Sequence, residues 1–303
     1  MARVPGRAGL KLWLLAWAVC GVLATTAAGA GPEMPRVRPA PVRPPGSVTS
    51  GIAWEIDLDR ASEEARAHGR PMLVEFWADW CGPCHMLEER TFSDPQVIQA
   101  SRRFTAVRID FDRNQKIAAS LDVAALPAVL LTDGYGTEFQ RLNGYVGPGQ
   151  FLGLLRRVPE DVRPFNDLSR RLSDRPQDFA ALVDMGLLFR KHALLDGSIS
   201  FLQDAVRVGN RRSPPPARLE EALYFLGENH LQQEEWTPAV VAFTALLERF
   251  PAGERTPVAH LELGKAYFMS GEKERAREHL TPLLGRGDGD RVAREAREVL
   301  GKI

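Results

Sequence analysis

Between Ile52 and Arg157, short apolar runs alternate with segments whose apolar residues recur at helical spacing. The run Met72–Ala78 is apolar and largely β-preferring, and it is the candidate buried strand. Ile52–Ile56 reads as a short first strand, Phe104–Asp110 alternates as a strand does, and Ala128–Thr132 is an apolar run after Pro127. Asp133-Gly134-Tyr135-Gly136 is a hairpin turn, from which Phe139–Leu142 returns as a strand. Helices are expected from Asp59 or Ser62 to His68, from Pro83 to about Arg90, from Asp94-Pro95 to Ser101, over Lys116–Leu121 and over Gly149–Arg157. Mixed strands and helices of this length predict an α/β sandwich, a central mixed sheet with helices on both faces.

The pattern changes after Pro159. From Phe165 onward the strand signals vanish and only helical spacing remains. Leu182-x-x-Met185-Gly186-x-x-Phe189 aligns with Leu223-x-x-Leu226-Gly227-x-x-His230 and with His260-x-x-Leu263-Gly264-x-x-Tyr267. Ser198, Ala239 and Ala276 follow the three glycines at one fixed distance, and Leu202, Phe243 and Leu280 at another. These units resemble tetratricopeptide repeats, paired helices with small residues where they cross. The glycines lie 41 and 37 residues apart, against about 34 for the ideal repeat. The Ser213–Pro216 insertion and the Ala252–Thr256 loop take up the difference. The resemblance implies an all-α tetratricopeptide-repeat solenoid over residues 164–303, capped by a helix at Arg291–Leu300, with a surface that docks a partner protein.

The N-terminus carries an address. Arg3, Arg7 and Lys11 precede the uncharged apolar run Leu12–Leu23, and Ala28-Gly29-Ala30 fits a small-residue cleavage site. Residues 1–30 therefore read as a signal peptide or, if uncleaved, as a membrane anchor, and the chain is expected to be periplasmic or otherwise exported. Residues 31–50 hold six prolines and read as a linker. Residues 51–158 are the expected α/β domain. The 39 basic and 39 acidic side chains balance, so no electrostatic footprint for nucleic acid is present. Of three cysteines, Cys20 lies in the signal segment, which leaves one pair and no disulfide framework.

That pair, Cys81-Gly82-Pro83-Cys84, directly follows Trp80 at the end of the candidate strand. A helix opening at Pro83 places Cys81 at its N-terminus, where unpaired amides stabilise a thiolate. A zinc site would need more ligands than the pair supplies. A static disulfide is the bland alternative to a reversible dithiol. Cys81-x-x-Cys84-His85 also satisfies the attachment pattern of a c-type haem.

The tryptophan before Cys-Gly-Pro-Cys, the loop Ala125-Leu126-Pro127 and the segments Thr91–Val97 and Asp133–Gly136 together resemble the thioredoxin superfamily. They are most similar to the C-terminal domain of DsbD-type thiol:disulfide interchange proteins. The resemblance covers about Trp54 to Val158 and implies a redox-active disulfide between Cys81 and Cys84. Cys81 is then the attacking thiolate and Cys84 the resolving thiol. Glu75, where the family usually has Asp, is implied to be a buried acid that takes the proton of Cys84. Pro127 lies against the disulfide and presents the substrate, with Trp80, Gly82 and Pro83 shaping the turn. Arg108 stands where such domains often carry a lysine near the acid, although a strand arginine also reads as solvated. His85 is a candidate tuner of Cys81 at acidic pH or a solvent-facing residue. The function implied is an exported protein-disulfide reductase or interchange enzyme without cofactor. It acts on protein disulfides, receives electrons from a membrane-embedded donor and binds a partner at its repeats. The rivals are a non-catalytic adaptor and a haem carrier.

Overall fold

The computed structural model describes residues 51–303 other than residue 288. These residues form two units, 51–162 and 163–303. The expected signal segment and proline-rich linker lie outside the described residues. Among the described residues no helix is long and apolar enough to cross a membrane.

The first unit runs α1 (Leu58–His68), β1 (Met72–Trp77), α2 (Gly82–Met86), a π turn (Leu87–Phe92) and α3 (Pro95–Ser101). It continues with β2 (Thr105–Asp110), α4 (Gln115–Ser120), β3 (Ala128–Thr132), β4 (Glu138–Asn143) and α5 (Pro148–Arg157). The sheet order is β2-β1-β3-β4, with β1 parallel to β2 and the other pairs antiparallel. Strand alternation turns Met72, Val74 and Phe76 to one face. There they join Ala61 and Ala65 of α1 and Ala118 of α4 in one buried cluster. Removing each large apolar side chain of this cluster from water is worth about 1.5–3 kcal/mol. Leu73, Glu75 and Trp77 face the other way, and Trp77 packs against the cluster of Ala78, Cys81 and Cys84. Beyond that helix, Phe92 packs edge-on against Phe151 of α5, ring centroids 5.4 Å apart.

Three local expectations are corrected. Ile52–Ile56 forms no strand; Glu55 alone bridges in parallel to Val107, through Glu55 N to Ala106 O at 2.9 Å and Arg108 N to Glu55 O at 2.8 Å. The cap of α1 is Asp57, which accepts from Arg60 N at 3.1 Å, because Leu58 already begins the helix. The cysteine helix does not stop near Arg90 but widens into the π turn through Phe92. The turn at Asp133–Gly136 forms as expected, with Asp133 Oδ1 accepting from Tyr135 N and Thr137 N at 2.8 Å each.

The second unit is all helix: α6 (Arg163–Asp174), α7 (Phe179–Lys191), α8 (Leu195–Gly209), α9 (Leu219–Gln232), α10 (Trp236–Arg249), α11 (Thr256–Met269), α12 (Lys273–Leu280), a 3-10 turn (Thr281–Arg286) and α13 (Arg291–Leu300). The aligned glycines lie where paired helices cross. A Cβ on Gly186, Gly227 or Gly264 would stand 2.7, 2.6 or 2.5 Å from Leu202, Phe243 or Leu280 respectively. These are the bulky residues the repeat alignment places opposite the glycines. Ser198 Oγ donates to Gly186 O at 2.7 Å and accepts from Asn229 Nδ2 at 2.7 Å, so a buried polar seam joins the first pair to the second.

Candidate active site

The turn after β1 is built from the sequence outward. Cys81 is the N-cap of α2, Pro83 occupies its first turn without need of an amide partner, and Cys81 Sγ accepts from Cys84 N at 3.2 Å. Cys81 and Cys84 are disulfide-bonded, with Sγ atoms 2.07 Å apart. Both are buried, and they pack with Ala78, Trp77 and Leu126. Leu126 precedes Pro127, across a cis peptide bond, in the loop that leads into β3. The proline loop expected from the sequence is therefore beside the disulfide, and Leu126, which sequence reasoning passed over, makes the contact.

Trp80 is not a core residue. It is 66% exposed, and its indole N–H donates to Asp112 Oδ2 at 2.9 Å, in the loop after β2. Gly82 and Pro83 are exposed at the tip of the turn. His85 is also exposed, with its Nε2 2.8 Å from Asp79 O. The turn thus offers a solvent-facing tryptophan beside a buried sulfur pair, an arrangement open to a docking chain.

Behind the turn lies a buried charge cluster. Glu75 is fully buried on β1 and stands in register beside Arg108 of β2. Arg108 is also buried, not solvated, because Glu75 Oε2 lies 2.8 Å from its Nε and Glu88 Oε2 lies 3.0 Å from its Nη2. The Nε contact is ionic; its N–H is not aimed at the oxygen, whereas Nη2 donates a proper hydrogen bond to Glu88. The guanidinium also lies 4.6 Å from the centroid of the Trp77 ring and 5.9 Å from that of Trp54. Burial pushes the Glu75 carboxyl up to about 7; Arg108 opposes the rise and Glu88 adds to it. Glu88 escaped sequence reasoning. Leu87, Thr91 and Phe92 are buried beside it on the π turn.

Residues 53–134 match the family model described as thioredoxin-like, a span that contains all the residues above. Residues 216–284 match the family model described as outer membrane lipoprotein. The thiol:disulfide interchange protein DsbD of Escherichia coli (strain K12) is 35% identical over 106 residues, which are 33% of this chain and 18% of that protein. The DsbD of Pseudomonas fluorescens is 31% identical over 156 residues, 46% of this chain and 26% of that protein. The chain thus spans about a fifth to a quarter of the length of these curated relatives. Among solved structures, a thioredoxin from Thermus thermophilus is 28% identical, covering 35% of this chain and 85% of its own, with a TM-score of 0.33. The oxidised C-terminal domain of Neisseria meningitidis DsbD is 24% identical, covering 35% of this chain and 98% of its own, with a TM-score of 0.31.

Proposed function

Since residues 53–134 are a thioredoxin-like domain related to part of DsbD, we propose that this chain is an exported thiol:disulfide oxidoreductase that reduces or exchanges protein disulfides through Cys81 and Cys84. The observation that carries the reading is the disulfide itself. It caps a helix at the end of the central strand, buried beside Leu126, with the exposed Trp80 directly before it in the chain.

In the reduced protein the Cys81 thiolate attacks a substrate disulfide. A Cys81–substrate bond forms, the substrate S–S bond breaks, and one substrate sulfur leaves as thiolate. Cys84 then gives its proton to Glu75, directly or through water, and its sulfur attacks Cys81 Sγ. The second substrate sulfur leaves with the electron pair and is protonated from solvent. The substrate has been reduced by two electrons and the dithiol oxidised by two. Pro127 and Leu126 border the bound substrate chain, and Trp80 covers the sulfur pair from the solvent side.

A membrane-embedded donor restores the dithiol, as suits a chain related to part of a thiol:disulfide interchange protein. The helical repeats dock a partner protein. Residues 51–158 and 164–303 serve as separate domains for these two tasks. The test is a pair of variants. Cys81→Ser abolishes reduction of a protein disulfide, while Cys84→Ser accumulates mixed disulfides that identify the substrates. A Cys81→Ser protein that reduces at the wild-type rate removes the reading and leaves the adaptor. A haem absorption band from the purified chain would replace it with the haem carrier.

A further inference from the structure

The third helix pair departs from the first two where its helices meet. In the repeat alignment, the position of Leu182 and Leu223 is held by His260. Directly before the bulky residue that meets each crossing glycine, the first two repeats carry Phe201 and Ala242, and the third carries His279. The two half-buried imidazoles come together between α11 and α12, Nδ1 to Nδ1 at 3.0 Å, with ring centroids 5.2 Å apart. The buried Tyr267 ring stacks on His279, 14° from parallel with centroids 5.7 Å apart, and so helps to fix its plane. Little else holds α12. It buries Ala276 and Leu280, whereas α10, its counterpart in the second pair, buries Ala239, Ala242, Phe243 and Leu246.

The charged side chains around the pair are otherwise engaged. Lys265 of α11 pairs with Glu262 and with Glu295 of α13. On α12, Arg275 pairs with Glu272 and Arg277 with Glu274, and Arg286 of the 3-10 turn pairs with Asp290. On α10, Glu248 is exposed and Arg249 reaches Arg212 O at 3.5 Å; Glu228 of α9 is held by Arg190. Glu278 is the acid that acts on His279.

A contact of this length needs one proton between the two nitrogens: one Nδ1 donates and the other accepts. A first added proton is accommodated. The charged ring becomes the donor, and its partner carries its own proton on Nε2 and accepts at Nδ1, which strengthens the bond. A second added proton is not. Both Nδ1 atoms then carry hydrogen and both rings carry charge, so the contact breaks.

We propose that His260 and His279 form a one-proton latch in the last repeat: closed while at most one imidazole is protonated and open when both are, so that α12 parts from α11 in mild acid while the first two helix pairs stay closed. Burial holds both imidazoles below the ordinary 6.5; for His279 the neighbouring imidazole deepens the depression and Glu278 opposes it. The open state therefore binds protons more readily than the closed one, and closure weakens as pH falls below about 6.5. The latch belongs to the repeats alone and stands whether or not the disulfide is catalytic.

The experiment is amide hydrogen exchange of the full oxidised chain at pH 7 and pH 5, corrected for the intrinsic pH dependence of exchange. A chelator is present so that no metal bridges the pair, and an NMR titration follows the imidazoles alongside. Protection of α12 should fall about tenfold for each pH unit over which the open state holds one proton more, while α7 and α8 keep theirs. His260→Leu restores the residue of the other repeats, and His279→Gln keeps a neutral polar side chain should the first variant fold poorly. Each should leave α12 equally protected at both pH values and move the midpoint of the remaining histidine up toward the ordinary value. His192→Gln, at an exposed histidine of the first repeat, should leave the response of α12 as in wild type. Equal protection of wild-type α12 at pH 7 and pH 5 overturns the inference. So does an acid loss that persists in both latch variants, or a remaining histidine whose midpoint does not move.

Discussion

Replacing Glu75 by Gln should flatten the pH dependence of stability of the first unit. The sign follows from the direction of the shift. Glu75 is raised from an ordinary 4.5 to about 7 by burial, so the folded state holds the proton more tightly than the unfolded chain. Below about pH 4.5 both states are protonated and the site contributes its full stability. Between there and pH 7 the unfolded chain releases the proton while the folded chain keeps it, and stability falls by about 1.4 kcal/mol per pH unit. Above pH 7 both are ionised and the loss levels off at about 3 kcal/mol, the linkage value of a shift from 4.5 to about 7. Glu75→Gln has no proton to hold. Wild type minus variant should therefore drop by about that amount from pH 4 to pH 8, whatever their absolute difference. The assay is urea unfolding of the oxidised proteins at several pH values. It follows the transition reported by Trp54, Trp77 and Trp80, which all lie in the first unit. Turnover should slow in the variant as well, since Cys84 loses its proton acceptor. A difference between wild type and variant that is the same at pH 4 and pH 8 would refute the argument.

Other expectations are simpler. Ser47–Val158 and Pro164–Ile303, expressed separately, should each melt cooperatively, because each has its own buried apolar set; a first half unfolded without the second, by circular dichroism, would contradict this. Gly227→Ala places a Cβ 2.6 Å from the buried Phe243 ring. It should cost about 1 kcal/mol in a urea titration, the overpacking penalty outweighing the helical gain of alanine. Asp112→Ala removes the acceptor of the Trp80 indole, and should lower kcat/KM for a protein disulfide about two- to tenfold with little effect on stability. An unchanged kcat/KM would show that the tryptophan needs no such anchor.

The cysteine pair, the strand before it and the proline loop were legible because each is a local pattern: two sulfurs at fixed spacing, an apolar run, a proline before another. The repeats were legible for the same reason, since glycine recurs opposite a bulky residue. Arg108 was not, because an arginine on a strand is ordinarily solvated and only the register with Glu75 reveals the partner that buries it. Glu88 could not be read at all. A helical glutamate is ordinarily solvated, and the Arg108 that pairs with it lies on a distant strand, so no local pattern marks it. Trp80 was legible as part of the turn, but its anchor was not: as the last residue before the turn it has passed the end of the sheet, and its polar edge finds Asp112. Ile52–Ile56 failed as a strand because only Glu55 pairs with β2.

The glycine crossings of the second unit have a consequence for how that unit comes apart. Each crossing is closed within its own helix pair, while polar contacts run between neighbouring pairs: Asn229 to Ser198, Arg190 to Glu228, and Lys265 to Glu295 at the last helix. Such an array behaves as beads coupled only to their neighbours. Opening begins where a bead has one neighbour, at an end, and moves inward a helix pair at a time. Backbone amides in α9 and α10, flanked on both sides, are then the last to exchange with solvent. The terminal pairs open and close around them without disturbing the middle.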